Sequence, residues 1–475
     1  MKAATTSPPA SPPRRTLRRA AALVAVSAAA VGLAACGSSS SSSSTSSAAA
    51  SSSGAASTAA SSSVAASGNA TAPGNATSGS ITWWASPITS SLPDPRTVLI
   101  KAFEKAYPSI HVTLISAPND TDTNRATLTT QISGGAGPDV FMGDVIWPAQ
   151  FAAHQLAIPL SKYLPSSYFA QFAPGLVEGA TYKGQVIGSP LFEDQGFLYY
   201  RKDLLAKDHL PVPTTWEQVL SESKTMQSKG QVKYGYVFQG ADYEGATCDY
   251  MEFLADAGGT VLNSSATKST LTANGAAVKA LSFERELVSS GVSPSAESTY
   301  QEAQALTAFD GGQAAFLRNW DYAYSTSQAS GSSVIGKVGV APMPTFAGQA
   351  APGYSNIGGW NLYINPHSKN IAADLTFLKF MAGSVAQNIL ATQFSEIPTN
   401  EAVRTSAKVI ASNKVLAVVP KTKLVPRPAQ TPQYPQVSQA IYQNVSSALA
   451  GQTSPASAVS NMNSSINTAL SGGGL

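Results

Sequence analysis

Apolar positions along the chain follow two alternating rhythms. "SITWWA" (Ser80 to Ala85) reads as a short aromatic strand. "VLIKAFEKAY" then sets Val98, Leu99, Ala102, Phe103 and Ala106 on one helical face, and Pro108 ends the helix. "SIHVTLIS" alternates as a strand, and "PDVFMGD" is another, reached through the turn Gly134-Gly135-Ala136-Gly137. This β-α-β-α-β order predicts a mostly parallel sheet covered by helices on both faces. The glycine turn lacks a GK[ST] ending and precedes a strand, so it is a turn rather than a phosphate loop.

A second round begins at "YKGQVIGSPLFEDQGFLYYRKDLL", two strand-like runs joined near Phe192 to Gln195. "PTTWEQVL" opens a helix, with Thr215 as N-cap and Gln218 as its capping-box partner. "YGYVFQ", the helices "CDYMEFLADAGG" and "GAAVKALSFERELV", and the strand "KVGVAPMPTF" continue the pattern. Val437, Ile441, Val445 and Leu449 recur at four-residue spacing in what reads as the last helix. No internal repeat is evident.

The N-terminus is different in kind. Arg14, Arg15, Arg18 and Arg19 precede the apolar run Ala20 to Gly32, too short to span a bilayer as a permanent helix, and "LAAC" follows, ending at Cys36. Residues 1–35 read as a signal peptide. "LAAC" resembles a bacterial lipobox, which implies cleavage before Cys36 and a lipid on its thiol. Residues 36–80 form a Ser/Ala-rich tract with almost nothing to bury, a flexible tether with a reach of about 35–40 Å. The remaining body of about 395 residues exceeds what one hydrophobic core serves, so two domains are expected.

Composition removes several classes. The chain has two cysteines, so Cys248 has no partner once Cys36 is assigned to lipid, and it reads as a small buried hydrophobe. A net charge of +3 is accounted for by the leader arginines, so no nucleic-acid partner is expected. There is no GxSxG elbow and no HExxH, and the four histidines are scattered, so no metal and no cofactor is expected.

The candidate chemistry gathers in "AAFLRNWDYAYS", which sets Trp320, Tyr322 and Tyr324 among Arg318, Asn319 and Asp321. Aromatic faces beside charged hydrogen-bonding groups suit a ligand with apolar patches and a polar rim, as a sugar has. That stretch, with "GPDVFMGDVIWPAQFAAHQLAIPLSKYL", "DYEGATCDYMEFLADAGG", "IGGWNLYINPHSKN" and "RPAQTPQYPQVSQAI", resembles the family 1 extracellular solute-binding proteins of ABC sugar importers, nearest their trehalose/maltose-binding branch. The resemblance implies an α/β, two-lobed, periplasmic-binding-protein-like fold with interleaved lobes and a hinge. It places residues 81–192 plus 338–383 in an N-lobe and 193–337 plus 384–475 in a C-lobe. Within that frame Asp144, Asp194, Glu302 and Arg427 are expected to hydrogen-bond the ligand, Phe192, Trp320 and Trp360 to stack on it, and Gly359, with Gly358, to let the backbone approach. Asp144 could instead cap the following helix, and Phe192 could pack between lobes. Glu193, one residue from Asp194, faces the other way by strand alternation. Asn400 stands where relatives often have Arg, a departure from the family's pattern in that loop.

The function so implied is an extracytoplasmic, membrane-anchored lipoprotein delivering a di- or oligosaccharide to an ABC permease, a monomer and not an enzyme. The competing readings are a glycan hydrolase using Asp144 and Asp194 as its two carboxylates, and a cell-surface adhesin that binds polymer. Tyr199-Tyr200 would suit a ferric-ion binder, but an apolar strand running into a helix accounts for the pair.

Overall fold

The computed structural model describes residues 76–89 and 93–472. Cys36, the segment read as a signal peptide and all but the end of the tether lie outside the described residues. Among the described residues no helix is long and apolar enough to cross a membrane.

Two sheets organise the body. The first has seven strands, in the order Ile397–Pro398, Ser189–Gln195, Tyr354–Ile364, Val140–Asp144, Gly79–Ala85 and Ile110–Ser116, with Lys423–Val425 also paired to Tyr354–Ile364. The second has four: Val338–Ala341, Phe197–Arg201, Ala314–Asn319 and Tyr234–Val237. Gly79–Ala85 is parallel to both its neighbours, as the β-α-β pattern predicts. The sheet as a whole is mixed, because Tyr354–Ile364 enters between two strands and runs antiparallel to both. That strand returns from the other lobe, a long-range event no local pattern announces.

Local chemistry explains the helices around these sheets. The Pro95–Ala106 helix buries Leu99, Ile100 and Phe103, so its face is turned slightly from the predicted one and Ala106 is exposed. Phe103 meets Phe377 edge-on at 5.1 Å and 88°, and Trp83 meets the same ring at 5.2 Å. Asp94 caps this helix through Arg96 N (2.9 Å), and its carboxylate also holds the Arg96 guanidinium. Thr215 and Gln218 form the expected capping box. Val437, Ile441, Val445 and Leu449 all lie in the core. Their helix, Tyr434–Leu449, is not the last: Pro455–Leu470 follows and buries Ala458, Val459, Met462 and Ile466. A Ser/Asn-rich sequence hides that face, since its apolar residues are few and mostly small.

The interleaving is visible in the pairings, with the first passage next to the expected stretch and the later ones displaced. The first passage between sheets falls at Gly196, where a Cβ would meet Glu252 Oε1 at 2.2 Å and Arg318 Nη2 at 2.7 Å. The return was expected at about Lys337, yet Val338–Ala341 pairs antiparallel with Phe197–Arg201, and the chain joins the first sheet only at Tyr354. The segment after residue 383 likewise does not leave at once. The Ser384–Phe394 helix packs on Pro95–Ala106, and Ile397–Pro398 pairs with Ser189–Gln195. Val409, Val415 and Leu416 then join the apolar cluster built on the second sheet. Strand partners decide sheet membership, and they are remote in sequence, so breaks in local pattern misplace the passages.

Candidate functional site

Strand register builds the first wall of the site. Trp360 pairs with Asp144 on one side and Phe192 on the other, while Gly358 pairs with Asp194. Side chains in line across three adjacent strands face the same way, which gives a row of Asp144, Trp360 and Phe192 with Asp194 beside it. The register shifts between Trp360 and Asn361, an irregularity that falls at this wall. Gly359 has φ +115°, and a Cβ there would come within 2.5 Å of the Phe192 carbonyl oxygen. Only glycine suits that position.

The second sheet supplies the opposing wall. Trp320 follows the Ala314–Asn319 strand, its ring under the Arg318 guanidinium at 4.0 Å. A Cβ on Gly358 would lie 3.1 Å from the Trp320 ring, so the two walls touch where that side chain is missing. Between them lies a cavity of about 260 Å³. All eight residues proposed from the sequence line it: Asp144, Phe192, Asp194, Glu302, Trp320, Gly359, Trp360 and Arg427.

Arg427 joins the two walls. Its Nη2 donates to Asp144 Oδ1 (2.7 Å) and its Nη1 to Asp144 Oδ2 (3.2 Å) and to Glu244 Oε1 (2.9 Å). Asp144 ends a strand of the first sheet, and Glu244 opens the Glu244–Asp256 helix that packs on the second. Tyr434 Oη and Ser438 Oγ donate to Glu244 as well, at 2.5 and 2.6 Å. Burial pushes the Glu244 carboxyl up to about 7, although Arg427 draws it down. Asp144 and Arg427 are therefore each other's partners as well as lining groups. Asp144 Oδ1 also accepts from Ile146 N at 3.3 Å, but the N-cap position of the Pro148–Ala153 helix is Trp147, so a helix cap is not its role.

The other carboxylates have distinct settings. Asp194 is buried, which raises its carboxyl to about 7, and Asp321 and Glu396 lie close beside it. Glu193 does face away and binds Arg404, and Asn400 caps the short Glu401–Arg404 helix that carries that arginine. Glu302 is half-buried beside Tyr243 and Trp320, and its carboxyl is raised by burial. Cys248 is buried as expected, and burial pushes its thiol up, so it stays uncharged.

Several lining residues were not singled out from sequence. Asp120 caps the Thr121–Ser133 helix and also lines the cavity, and Thr89 and Tyr243 line it too. "NDTDT" announces a cap but not the cavity it faces. Glu244, in "DYEGATC", reads from sequence as either a ligand contact or a loop holder; it lines the cavity and accepts from Arg427.

This site sits on a fold with close relatives. Residues 89–388 match the sequence model of the family described as bacterial extracellular solute-binding protein. A probable ABC transporter-binding protein of Deinococcus radiodurans is 35% identical over 364 residues, covering 73% of this chain and 84% of the relative. Among solved structures, maltose-bound MalE3 of T. maritima aligns with a TM-score of 0.75 and 33% identity, over 82% of this chain and 99% of that one. A solute-binding protein from Thermotoga lettingae bound with alpha-D-tagatose gives 0.74 and 27%, over 83% and 100%. The chain belongs to the bacterial extracellular solute-binding protein family, and its fold is that family's two-domain binding fold.

Proposed function

We propose that the protein binds a neutral di- or oligosaccharide, of the trehalose/maltose kind, outside the cytoplasm and delivers it to an ABC import permease. One observation carries the reading. Two tryptophans and a phenylalanine from two different sheets face a cavity whose polar lining includes carboxylates and a guanidinium. Aromatic faces suit the C–H patches of a pyranose, and planar charged groups span adjacent hydroxyls. Relatives that hold maltose and tagatose support the ligand class. Asp144, Asp194 and Glu302 serve as acceptors in this account, Phe192, Trp320 and Trp360 as stacking faces, and Arg427 as the link between walls.

The protein acts by binding rather than catalysis in this account, with each wall contributing contacts that favour the closed arrangement. A lipid on Cys36 holds it at the extracytoplasmic face, several acyl chains being needed for stable attachment. A screen of neutral sugars by intrinsic tryptophan fluorescence tests the reading, because Trp320 and Trp360 lie at the site. Saturable change with at least one di- or oligosaccharide, without its hydrolysis on prolonged incubation, is expected. Release of monosaccharide that stops in Asp194→Asn would place the protein among hydrolases instead.

A further inference from the structure

Behind the cavity wall three carboxyl groups from three separate segments converge. Asp194 lies near the end of the Ser189–Gln195 strand, Asp321 follows Trp320 beyond the second sheet's Ala314–Asn319 strand, and Glu396 precedes Ile397–Pro398. One carboxylate oxygen from each lies within 4.8 Å of the others. We propose that Asp194, Asp321 and Glu396 bind one oxygen-preferring divalent cation, Ca²⁺ by size, at the junction of the two sheets. This departs from the sequence expectation of no metal, and it stands whether or not the cavity ligand is a sugar.

The convergence alone would not carry this; the state of Glu396 does. Its side chain is fully buried and aimed at the Asp194–Asp321 pair, and neither of its oxygens has a hydrogen-bond donor. Asp194 Oδ1 and Asp321 Oδ1 are in the same condition. The other Asp321 oxygen accepts from Ile397 N at 2.8 Å, which fixes that carboxylate against the turn bearing Glu396. Nearby cations are committed elsewhere, Arg404 to Glu193 and Arg427 to Asp144 and Glu244.

Buried carboxylates without donors are costly, and facing one another they cannot all carry charge unless a cation or protons intervene. Burial raises all three carboxyls, and their acidic neighbours raise them further. Calcium takes carboxylate oxygens at about 2.3–2.6 Å, so oxygens across the ion stand about 4.6–5.2 Å apart, while magnesium demands a tighter octahedron. The bound of 4.8 Å admits calcium's wider, more flexible shell, and the preference over magnesium is what the titration decides. Because Asp194 and Glu396 belong to or lead into strands of the first sheet and Asp321 follows a strand of the second, the cation would tie the sheets together and fix Asp194 from behind.

The full chain, stripped with chelator, is titrated calorimetrically with CaCl₂ alone, and with MgCl₂ as comparator. One Ca²⁺ per chain is expected, at least about tenfold tighter than Mg²⁺, with a rise in the thermal midpoint. Glu396→Gln and Asp321→Asn, checked for native circular dichroism, should each weaken Ca²⁺ binding at least about tenfold. Absence of calcium heat and of any midpoint shift in the wild type overturns the proposal without reference to variants. So does calcium binding that persists unchanged in both variants. A midpoint that rises on acidification and ignores Ca²⁺ shows shared protons in place of the metal, and also overturns it.

Discussion

Removing the Arg427 guanidinium should cost the ligand-free fold more than any other single change at the site. The side chain makes three charge-assisted hydrogen bonds, at 2.7 and 3.2 Å to Asp144 and 2.9 Å to Glu244, and all three residues are buried. Such bonds contribute about 1.5–3 kcal/mol each, but the sum overstates the loss, since Glu244 keeps its bonds from Tyr434 and Ser438. Breaking one side of a buried ion pair typically costs about 3–5 kcal/mol, because the remaining charge is left unpaired. Arg427→Ala should therefore destabilise by about 3–5 kcal/mol in urea unfolding of the ligand-free protein. The sign of the coupling is more telling than the size. Asp144→Asn should destabilise the wild type, yet in the Arg427→Ala background it should restore about 1–2 kcal/mol by removing an unpaired charge. If Arg427→Ala falls within about 0.5 kcal/mol of wild type, or Asp144→Asn costs the same in both backgrounds, the bridge between walls is not holding the fold.

The remaining predictions concern ligand, pH and anchor. Trp360→Ala and Trp320→Ala should each weaken sugar binding by about 2–4 kcal/mol; unchanged calorimetric affinity in both variants would move the stacking site elsewhere. Glu222 is buried with Oε2 unpartnered, and burial pushes its carboxyl up to about 7. The folded state thus favours the protonated acid, and its contribution to stability falls as pH rises from the unfolded value through about 7. Glu222→Gln stays neutral, so it should match wild type near pH 4.5 and exceed it by about 1–3 kcal/mol at pH 8, the full shift being discounted for nearby solvent; equal urea midpoint differences at the two pH values would contradict this. Cys36→Ser should abolish incorporation of radiolabelled fatty acid while the released body keeps its sugar affinity, and label persisting on the variant would remove the anchor from the account.

What could be read from sequence followed the range of the interactions involved. The capping box at Thr215 and the packed face through Val437 and Leu449 are local, and both stand as expected. Lining residues at strand ends were also legible, since alternation and a turn place Asp194 toward the cavity and Glu193 away from it. The passages between sheets were misplaced because Val338–Ala341 and Ile397–Pro398 are assigned by partners far along the chain. The same distance hid the pairing of Asp144 with Arg427, 283 residues apart, and the meeting of Asp194, Asp321 and Glu396. Pro455–Leu470 was hidden for a different reason: its buried face is largely Ala, Val and Met in a Ser/Asn-rich background, too weak to read as a core helix.

Isothermal titration of residues 76–475 with maltose, trehalose and a series of longer α-glucosides tests sugar binding at this site. At least one of them should bind with one site per chain and with the negative heat-capacity change of apolar surface buried between two walls. Absence of binding by every sugar in the series, with saturable one-to-one binding of a non-carbohydrate solute such as a peptide, would contradict it.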